Sequence, residues 1–428
     1  MPKLLQIDSC LGVLSTGRIS EGIAKVAMSQ GWDCYIAHGA RYVGKTIQHS
    51  YQIETKYGEY IHYAKSLLFD EHGLGSTLST KRLIKKIKEI KPDVIQLHCI
   101  HGYYLNYKVL FEYLAGTNVP VVWTQHDCWA FTGHCAYFGF ANCEKWKSEC
   151  SNCPLSYSYP KAYVDCSRRN YLLKKKLFTS VKDLTIVSVS KWLDNIVNES
   201  FLNIYPHRVI YNGIDTEKFR PCDVIIRDKY GITTPHFLLA VASAWSDNKG
   251  LNDYMCLCEL LPDDYCIVMV GVDDNTRKKL PSKIIAISRT DSKRELAMLY
   301  SNADFVTSLS YCETMGLTVV EGLACGTPAI VYDNTAQPEI ASGGVGYVIT
   351  TGDYRQIPDI LLKDRNMSLE ERDLRGQTCI KRAKQLFNDA KQYEQYVGLY
   401  SDLINRSKPG GGGINCPSFH MEPTEGVE

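Results

Sequence analysis

Nowhere in these 428 residues is there an apolar run able to cross a bilayer. Stretches such as 237–245 stop far short of the roughly 20 residues a spanning helix needs. An excess of either charge is also missing. Lys and Arg number 48 and Asp and Glu 47, leaving a formal charge of +1, so no global field draws nucleic acid and any basic site is local. A secretory leader is not seen: residues 1–8 (MPKLLQID) hold no basic segment followed by an apolar one, and the expectation is a cytoplasmic protein. Without export, the 17 cysteines read as thiols or metal ligands and not as a disulfide framework. What is present, 45% hydrophobic and 22% charged residues, is the composition of a soluble globular enzyme too long for one ordinary core.

Short apolar runs alternate with helical patterns from the first residues. Strands are expected at 3–8, 33–37, 93–98, 119–124 and 184–189, with a glycine-containing loop at 9–20 and helices at 21–30 and 77–91. The alternation restarts after Tyr205. Strands are expected there at 207–211, 237–242, 265–270, 283–286, 304–308 and 327–331, and helices at 251–261, 293–302 and 317–325. Such alternation means parallel sheets covered on both faces. Two such series imply an α/β protein of two doubly wound, Rossmann-like domains facing across a cleft, where ligands bind beyond the carboxyl ends of the strands. The divisions are 1–205, 206–385, a helical return at 386–406 packing on the first domain, and a glycine-rich tail at 407–428 expected to be disordered.

The most informative segment is 310–321, SYCETMGLTVVE, with Glu313 and Glu321 eight residues apart around a predicted helix N-terminus. Carboxylates accept hydrogen bonds from hydroxyls, and free amides at a helix N-terminus bind anions. Taken alone, the pair reads as two solvated helix glutamates, the usual fate of such residues. Its surroundings change that. The segment resembles the E-x7-E region of retaining glycosyltransferases of family four, which have the GT-B fold. Residues 242–251 (ASAWSDNKGL) resemble the family's donor-phosphate loop, 209–219 (VIYNGIDTEKF) its interdomain segment, and 296–310 the helix and strand before the first glutamate. Residues 125–154 are similar to bacterial exopolysaccharide and colanic-acid type transferases.

The resemblance implies a hexosyl transfer from a UDP- or GDP-sugar to a glycan or lipid-linked acceptor in cell-surface polysaccharide synthesis. Lys249 would neutralise the leaving diphosphate, Glu313 hold the donor sugar, Glu321 the ribose, and His126 lie near the anomeric centre. Amides of Met315, Gly316, Leu317 and Thr318 would approach phosphate or sugar, as would the first loop through Gly12, Gly17 and Arg18. Asp127 is expected to orient His126 or cap the local turn. Where the family commonly carries an arginine this chain has Ala244, and Arg18 is the candidate replacement. No D-x-D pair stands in a context to hold Mg²⁺, so no cofactor is expected for catalysis. A nucleotide-sugar epimerase and a non-catalytic donor-binding scaffold are the rival readings.

Cys128, Cys135, Cys143, Cys150 and Cys153 crowd into 26 residues. Cys150 and Cys153 have C-x2-C spacing, and Cys135 and Cys143 would complete a structural zinc site that staples a long loop. The competing reading is cysteine used as a small apolar residue. Finally, 168–178 interleaves Arg168, Arg169, Lys174, Lys175 and Lys176 with apolar residues. It is either a peripheral contact for the anionic inner face of the plasma membrane or a helix packed on its own sheet. No nucleic-acid module accompanies it.

Overall fold

Two parallel sheets account for the alternation. The computed structural model describes residues 1–46 and 49–406, so the tail reading at 407–428 lies outside the described residues. The first sheet contains β1 (Lys3–Leu11), β2 (Asp33–Val43), β3 (His49–Gln52), β4 (Val94–Leu97), β5 (Val121–Gln125), β6 (Leu184–Ser188) and β7 (His207–Val209) in the order β3-β2-β1-β4-β5-β6-β7. The second holds β8 (His236–Val241), β9 (Tyr265–Val270), β10 (Ile284–Ile287), β11 (Phe305–Ser308), β12 (Ala329–Tyr332) and β13 (Gly346–Ile349) in the order β10-β9-β8-β11-β12-β13. Central strands such as β9 (YCIVMV) are buried at every residue because helices cover both faces. In each sheet the strand order reverses beside the first strand, between β1 and β4 and between β8 and β11. Those switch points are where a doubly wound sheet opens a crevice for ligands.

Two expectations are corrected and one element is added. The strand near 207–211 does not open the second sheet. It closes the first, with His207 paired to Ile186. The first helix runs Leu14–Ser29, so it begins inside the region read as a loop and carries Gly17 and Arg18. Ile19, Ile23, Ala24 and Ala27 bury its inner face, and this packing outweighs the glycine and serine content that suggested a loop. Helix Lys56–Phe69 is an addition to the expected elements. Its buried residues are Glu59, His62 and Ser66, while Tyr57, Tyr60, Ile61, Leu68 and Phe69 face solvent.

The C-terminal helices explain the N-G-I-D segment. Helix Leu369–Leu386 starts on a Ser368–Glu371 capping box and stops at Phe387. There the chain crosses back: Ile214 N donates to Phe387 O at 2.8 Å and Asp389 N to Ile214 O at 3.0 Å. Gly213 is needed because a Cβ would sit 2.5 Å from the Asp389 backbone. Helix Asp389–Arg406 then packs on helix Leu14–Ser29, and Tyr400 Oη donates to Gln96 Oε1 at 2.9 Å in the first domain. Among the described residues no helix is long and apolar enough to cross a membrane.

Candidate functional site

The second domain builds its side of the cleft on two short connections at its switch point. After β8, Trp245 anchors the turn by donating from Nε1 to Val270 O at 3.0 Å. The chain then makes one tight turn, Asp247–Lys249, and reverses at Gly250, where φ is +71°. A Cβ at Gly250 would lie 2.2 Å from Leu309 O, so glycine alone lets this loop meet the end of β11. Tyr311 N donates to Asn248 O at 2.9 Å, joining the lysine loop to the glutamate loop. Lys249 Nζ and Glu313 Oε1 form an ion pair there, both side chains partly exposed to the cleft. Glu313 N is held by Thr335 Oγ1 at 3.0 Å.

Gly316, at φ +71°, caps helix Leu317–Ala324 with no side-chain hydrogen bond. No side chain caps its first turn, and the partly exposed Leu317 and Thr318 open it, a setting suited to an anion. Met315 is buried beneath the turn. Glu321 lies farther along the same helix, where its Oε2 accepts from Tyr300 Oη at 3.1 Å. Burial pushes its carboxyl up to about 7, opposed by the hydrogen bond from Tyr300 and the charges of Lys293 and Arg18.

The first domain faces this with the carboxyl ends of β1, β4 and β5. Gly12, at φ +63°, makes the turn after β1. Gly17 sits inside the helix, where a Cβ would be 3.0 Å from Cys10 Cβ, and so serves helix–strand packing. Arg18 is exposed and its charge reaches Glu321 and Lys293 of the other domain. His126 Nε2 lies 3.3 Å from His98 Nδ1, whose other nitrogen meets Gln6 Oε1 at 3.0 Å. Burial holds the His126 imidazole down to about 4, so the ring is neutral at neutral pH. Asp127 does not orient it. Oδ2 of Asp127 pairs with His101 Nε2 at 2.7 Å and Oδ1 caps the next turn through Trp129 N at 2.9 Å. The domains touch at the site itself, for Thr314 Oγ1 donates to His126 O at 2.9 Å.

Lys293, His98 and His101 were missed from sequence. Lys293 begins helix Lys293–Asn302, where it looks like any solvated lysine; it stays exposed, and only the fold brings its charge to bear on Glu321. Lys174, expected on a basic surface, is buried at 2% exposure and donates to Trp129 O and Thr132 O. Arg168, Arg169, Lys175 and Lys176 remain exposed. Cys135, Cys143, Cys150 and Cys153 line one small cavity, although no three of their sulfurs lie within 4.8 Å of one another.

Comparison with known proteins bears on the whole chain. The family model "Glycosyltransferase Family 4" matches residues 23–218 and "Glycosyl transferases group 1" matches 225–375. A protein of Escherichia coli (strain K12) named for colanic acid biosynthesis glycosyl transfer, WcaC, is 24% identical over 327 residues, 73% of this chain and 77% of its own. Among solved structures, sucrose-phosphate synthase of Thermosynechococcus elongatus superposes with a TM-score of 0.70 at 15% identity, over 95% of this chain and 100% of that one. HepE of Anabaena in complex with UDP gives 0.64 at 15% identity, over 94% and 100%. With one model on each domain and the same two-domain architecture throughout, this chain belongs to the group 1 and family 4 glycosyltransferases of the GT-B fold.

Proposed function

We propose that the chain transfers a hexosyl group, with retention of anomeric configuration, from a UDP- or GDP-sugar to a glycan or lipid-linked oligosaccharide during cell-surface polysaccharide synthesis. The observation that carries this reading is the Lys249–Glu313 pair at the mouth of helix Leu317–Ala324, facing His126 across a cleft bridged by Thr314. The similarity to HepE, solved with UDP and with UDP-glucose, favours a nucleotide sugar as donor. WcaC, named for colanic acid, favours the polysaccharide context.

In this mechanism the diphosphate lies on the amides of Met315, Gly316, Leu317 and Thr318. Lys249 meets the charge that grows as the sugar departs, and electrostatic stabilisation of this kind usually contributes more to catalysis than any other single effect. Arg18 supplies the second cation from the opposing domain, in place of the arginine absent at Ala244. Glu313 holds sugar hydroxyls and Glu321 the ribose. Neutral His126 hydrogen-bonds the sugar near its anomeric carbon. The acceptor attacks from the face the phosphate leaves, and the departing phosphate takes its proton. Protein cations and amides meet the charge, so added Mg²⁺ is expected to leave turnover unchanged.

A membrane-facing acceptor suits the first domain's surface. Arg169 Nη2 donates to Phe69 O at 3.2 Å, which sets the C-terminal end of helix Lys56–Phe69, with exposed Leu68 and Phe69, beside a helix carrying exposed Arg168, Arg169, Lys175 and Lys176. Apolar side chains beside basic ones fit an anionic lipid surface. Cosedimentation with anionic and with neutral vesicles tests it, and equal binding to both removes it.

Calorimetry across UDP-, GDP- and ADP-sugars, with Lys249→Ala and Glu321→Ala in parallel, tests the donor site. One nucleotide sugar binding, and both variants weakening it, supports the assignment. Unchanged binding in both variants overturns it. Tight donor binding without turnover on any acceptor marks a scaffold.

A further inference from the structure

The long connection between β5 and helix Ser167–Phe178 is unlike the short loops of the second domain. Its regular structure is confined to three single-turn segments, at Trp129–Phe131, Gly139–Ala141 and Lys145–Lys147. Even so it buries Trp129, Phe131, Cys135, Phe138 and Trp146. Chain without ladders or helices is entropically costly to order, and such loops in compact proteins carry a fastening of some kind.

The fastening points are visible. Cys135, Cys143, Cys150 and Cys153 line a cavity walled by Phe138, Trp146 and Leu155. Cys150 and Cys153 flank Asn152, whose φ of +47° gives the tight reversal that brings two C-x2-C thiols to one side. Lys145 Nζ grips that reversal through Ser151 O and Asn152 O, both at 2.9 Å. The Gly133 backbone passes close to Cys150. Gly133 is required for this approach, since a Cβ there would lie 2.2 Å from Ser167 O and 2.8 Å from Cys150 Cβ.

Two buried polar groups point to a ligand. His134, fully enclosed, uses Nδ1 on Asp70 Oδ1 at 2.6 Å, and its Nε2 has no partner although His134 lines the same cavity. A carboxylate behind an imidazole is the usual way the ring is oriented beside a metal centre. Lys174, also buried, hydrogen-bonds only neutral carbonyls; the Asp70 carboxylate is the first charge that supports it, followed by the Cys150 and Cys135 side chains. Four thiolates on a divalent ion leave a net negative charge, which would offset this ammonium.

We propose that this cavity is a structural zinc site with Cys135, Cys143, Cys150 and Cys153 as ligands, and that His134, backed by Asp70, is a positioning residue facing the cluster. Zinc binding draws in the sulfurs, which stand wider apart here than in a tetrahedral site. The fastening serves the cleft. The loop tip reaches the donor domain, with Phe140 5.7 Å from the Tyr311 ring and Gly139 3.7 Å from Cys312 Sγ at the positions a Cβ would take, immediately before Glu313. The zinc thus holds the surface that abuts the first glutamate.

The test is metal analysis of the full-length chain purified without added metal. About one zinc per chain is expected for a single four-cysteine site. Cys150→Ser and Cys153→Ser are expected to fall to background, while Cys256→Ser, at an exposed thiol outside the cavity, keeps full occupancy. His134→Ala is expected to retain zinc but to lose it to a chelator several-fold faster. Should the cysteine variants fail to fold, Co²⁺ loading of the metal-stripped wild type replaces them, with the visible absorption of tetrahedral cobalt thiolate expected. Absence of both zinc and cobalt uptake overturns the proposal. So does an iron chromophore in the purified protein, full zinc in Cys153→Ser, or loss of zinc in His134→Ala with retention in Cys143→Ser.

Discussion

The two walls of the cleft are built in opposite ways. On the donor wall every group assigned to chemistry stands within a few residues of a strand end or in a helix's opening turns, and glycine at φ +71° sets both Lys249 and the amides after Gly316. On the facing wall His126 does follow a strand, but the surface around it comes from the irregular connection up to helix Ser167–Phe178 and from the loop that carries His98 and His101. The difference teaches where precision is needed. A diphosphate is the same in every nucleotide sugar and is met by fixed backbone dipoles, whereas acceptors vary and are met by side chains on adaptable chain.

If that division holds, the largest loss of turnover comes from the donor wall. Lys249→Ala is expected to lower turnover roughly 10²–10³-fold, about 3–4 kcal/mol of transition-state stabilisation, as for loss of one oriented charge-stabilising group. His126→Ala, removing a neutral ring, is expected to cost about tenfold. Steady-state kinetics on one donor–acceptor pair gives both numbers. A greater loss at His126 would reverse the comparison. Next comes the backbone that carries the lysine. Gly250→Val places a side chain against Leu309 O at φ +71° and is expected to cost about 3 kcal/mol of stability. Gly344→Ala, at φ +77° with open space around it, is expected to cost about 1 kcal/mol. Thermal unfolding of the two variants separates clash from strain.

The same division explains what the sequence made legible. Period-two and continuous apolar runs marked β9 and its neighbours within a residue or two, because a parallel strand buried on both faces must be apolar throughout. Which sheet a strand joins is not written in its own residues, and β7 read as part of the wrong domain for that reason. Helix Lys56–Phe69 escaped because its apolar stripe points outward and its buried stripe is polar, the reverse of the pattern that reveals a helix. At the candidate site, Glu313, Glu321 and Lys249 stood out only because the segments around them resemble a known family; their spacing alone fits solvated residues. The meeting of Lys293 and Arg18 with Glu321 was not legible, since it arises only through pairing of distant segments.

A pH titration sharpens the comparison further, for each wall holds one carboxyl raised by burial to about 7: Glu321 on the donor side and Asp8 at the end of β1. A carboxyl whose folded value exceeds its unfolded one binds its proton more tightly when folded, so stability falls as pH rises through the interval between the two. For Glu321 that interval runs from 4.5 to about 7. Removing the charge is expected to recover about 3 kcal/mol at most near neutrality, less where solvent reaches the group. Glu321→Gln and Asp8→Asn should each flatten the fall in unfolding temperature from pH 5 to pH 7. Arg18 and Lys293 face Glu321 and soften its effect, whereas Asp8 is eased only by hydrogen bonds, so the Asp8 variant is expected to change more. A larger change at Glu321 would mean that those cations contribute nothing.

The smallest effect tests whether the walls act together. Thr314 Oγ1 donates to His126 O at 2.9 Å, a contact between a donor-wall side chain and the backbone of the acceptor wall. Thr314→Val keeps the volume and removes the donor, and a neutral hydrogen bond of this kind is worth about 1 kcal/mol. If donor binding favours the arrangement in which this bond is made, its loss weakens donor affinity by about fivefold. Thr314→Ser should restore it. Calorimetry of the three forms with one nucleotide sugar makes the measurement. Equal affinity in all three would mean the donor wall is complete without its partner, and that the bridge serves only the later meeting of sugar and acceptor, where a raised KM for acceptor would then be its sole trace.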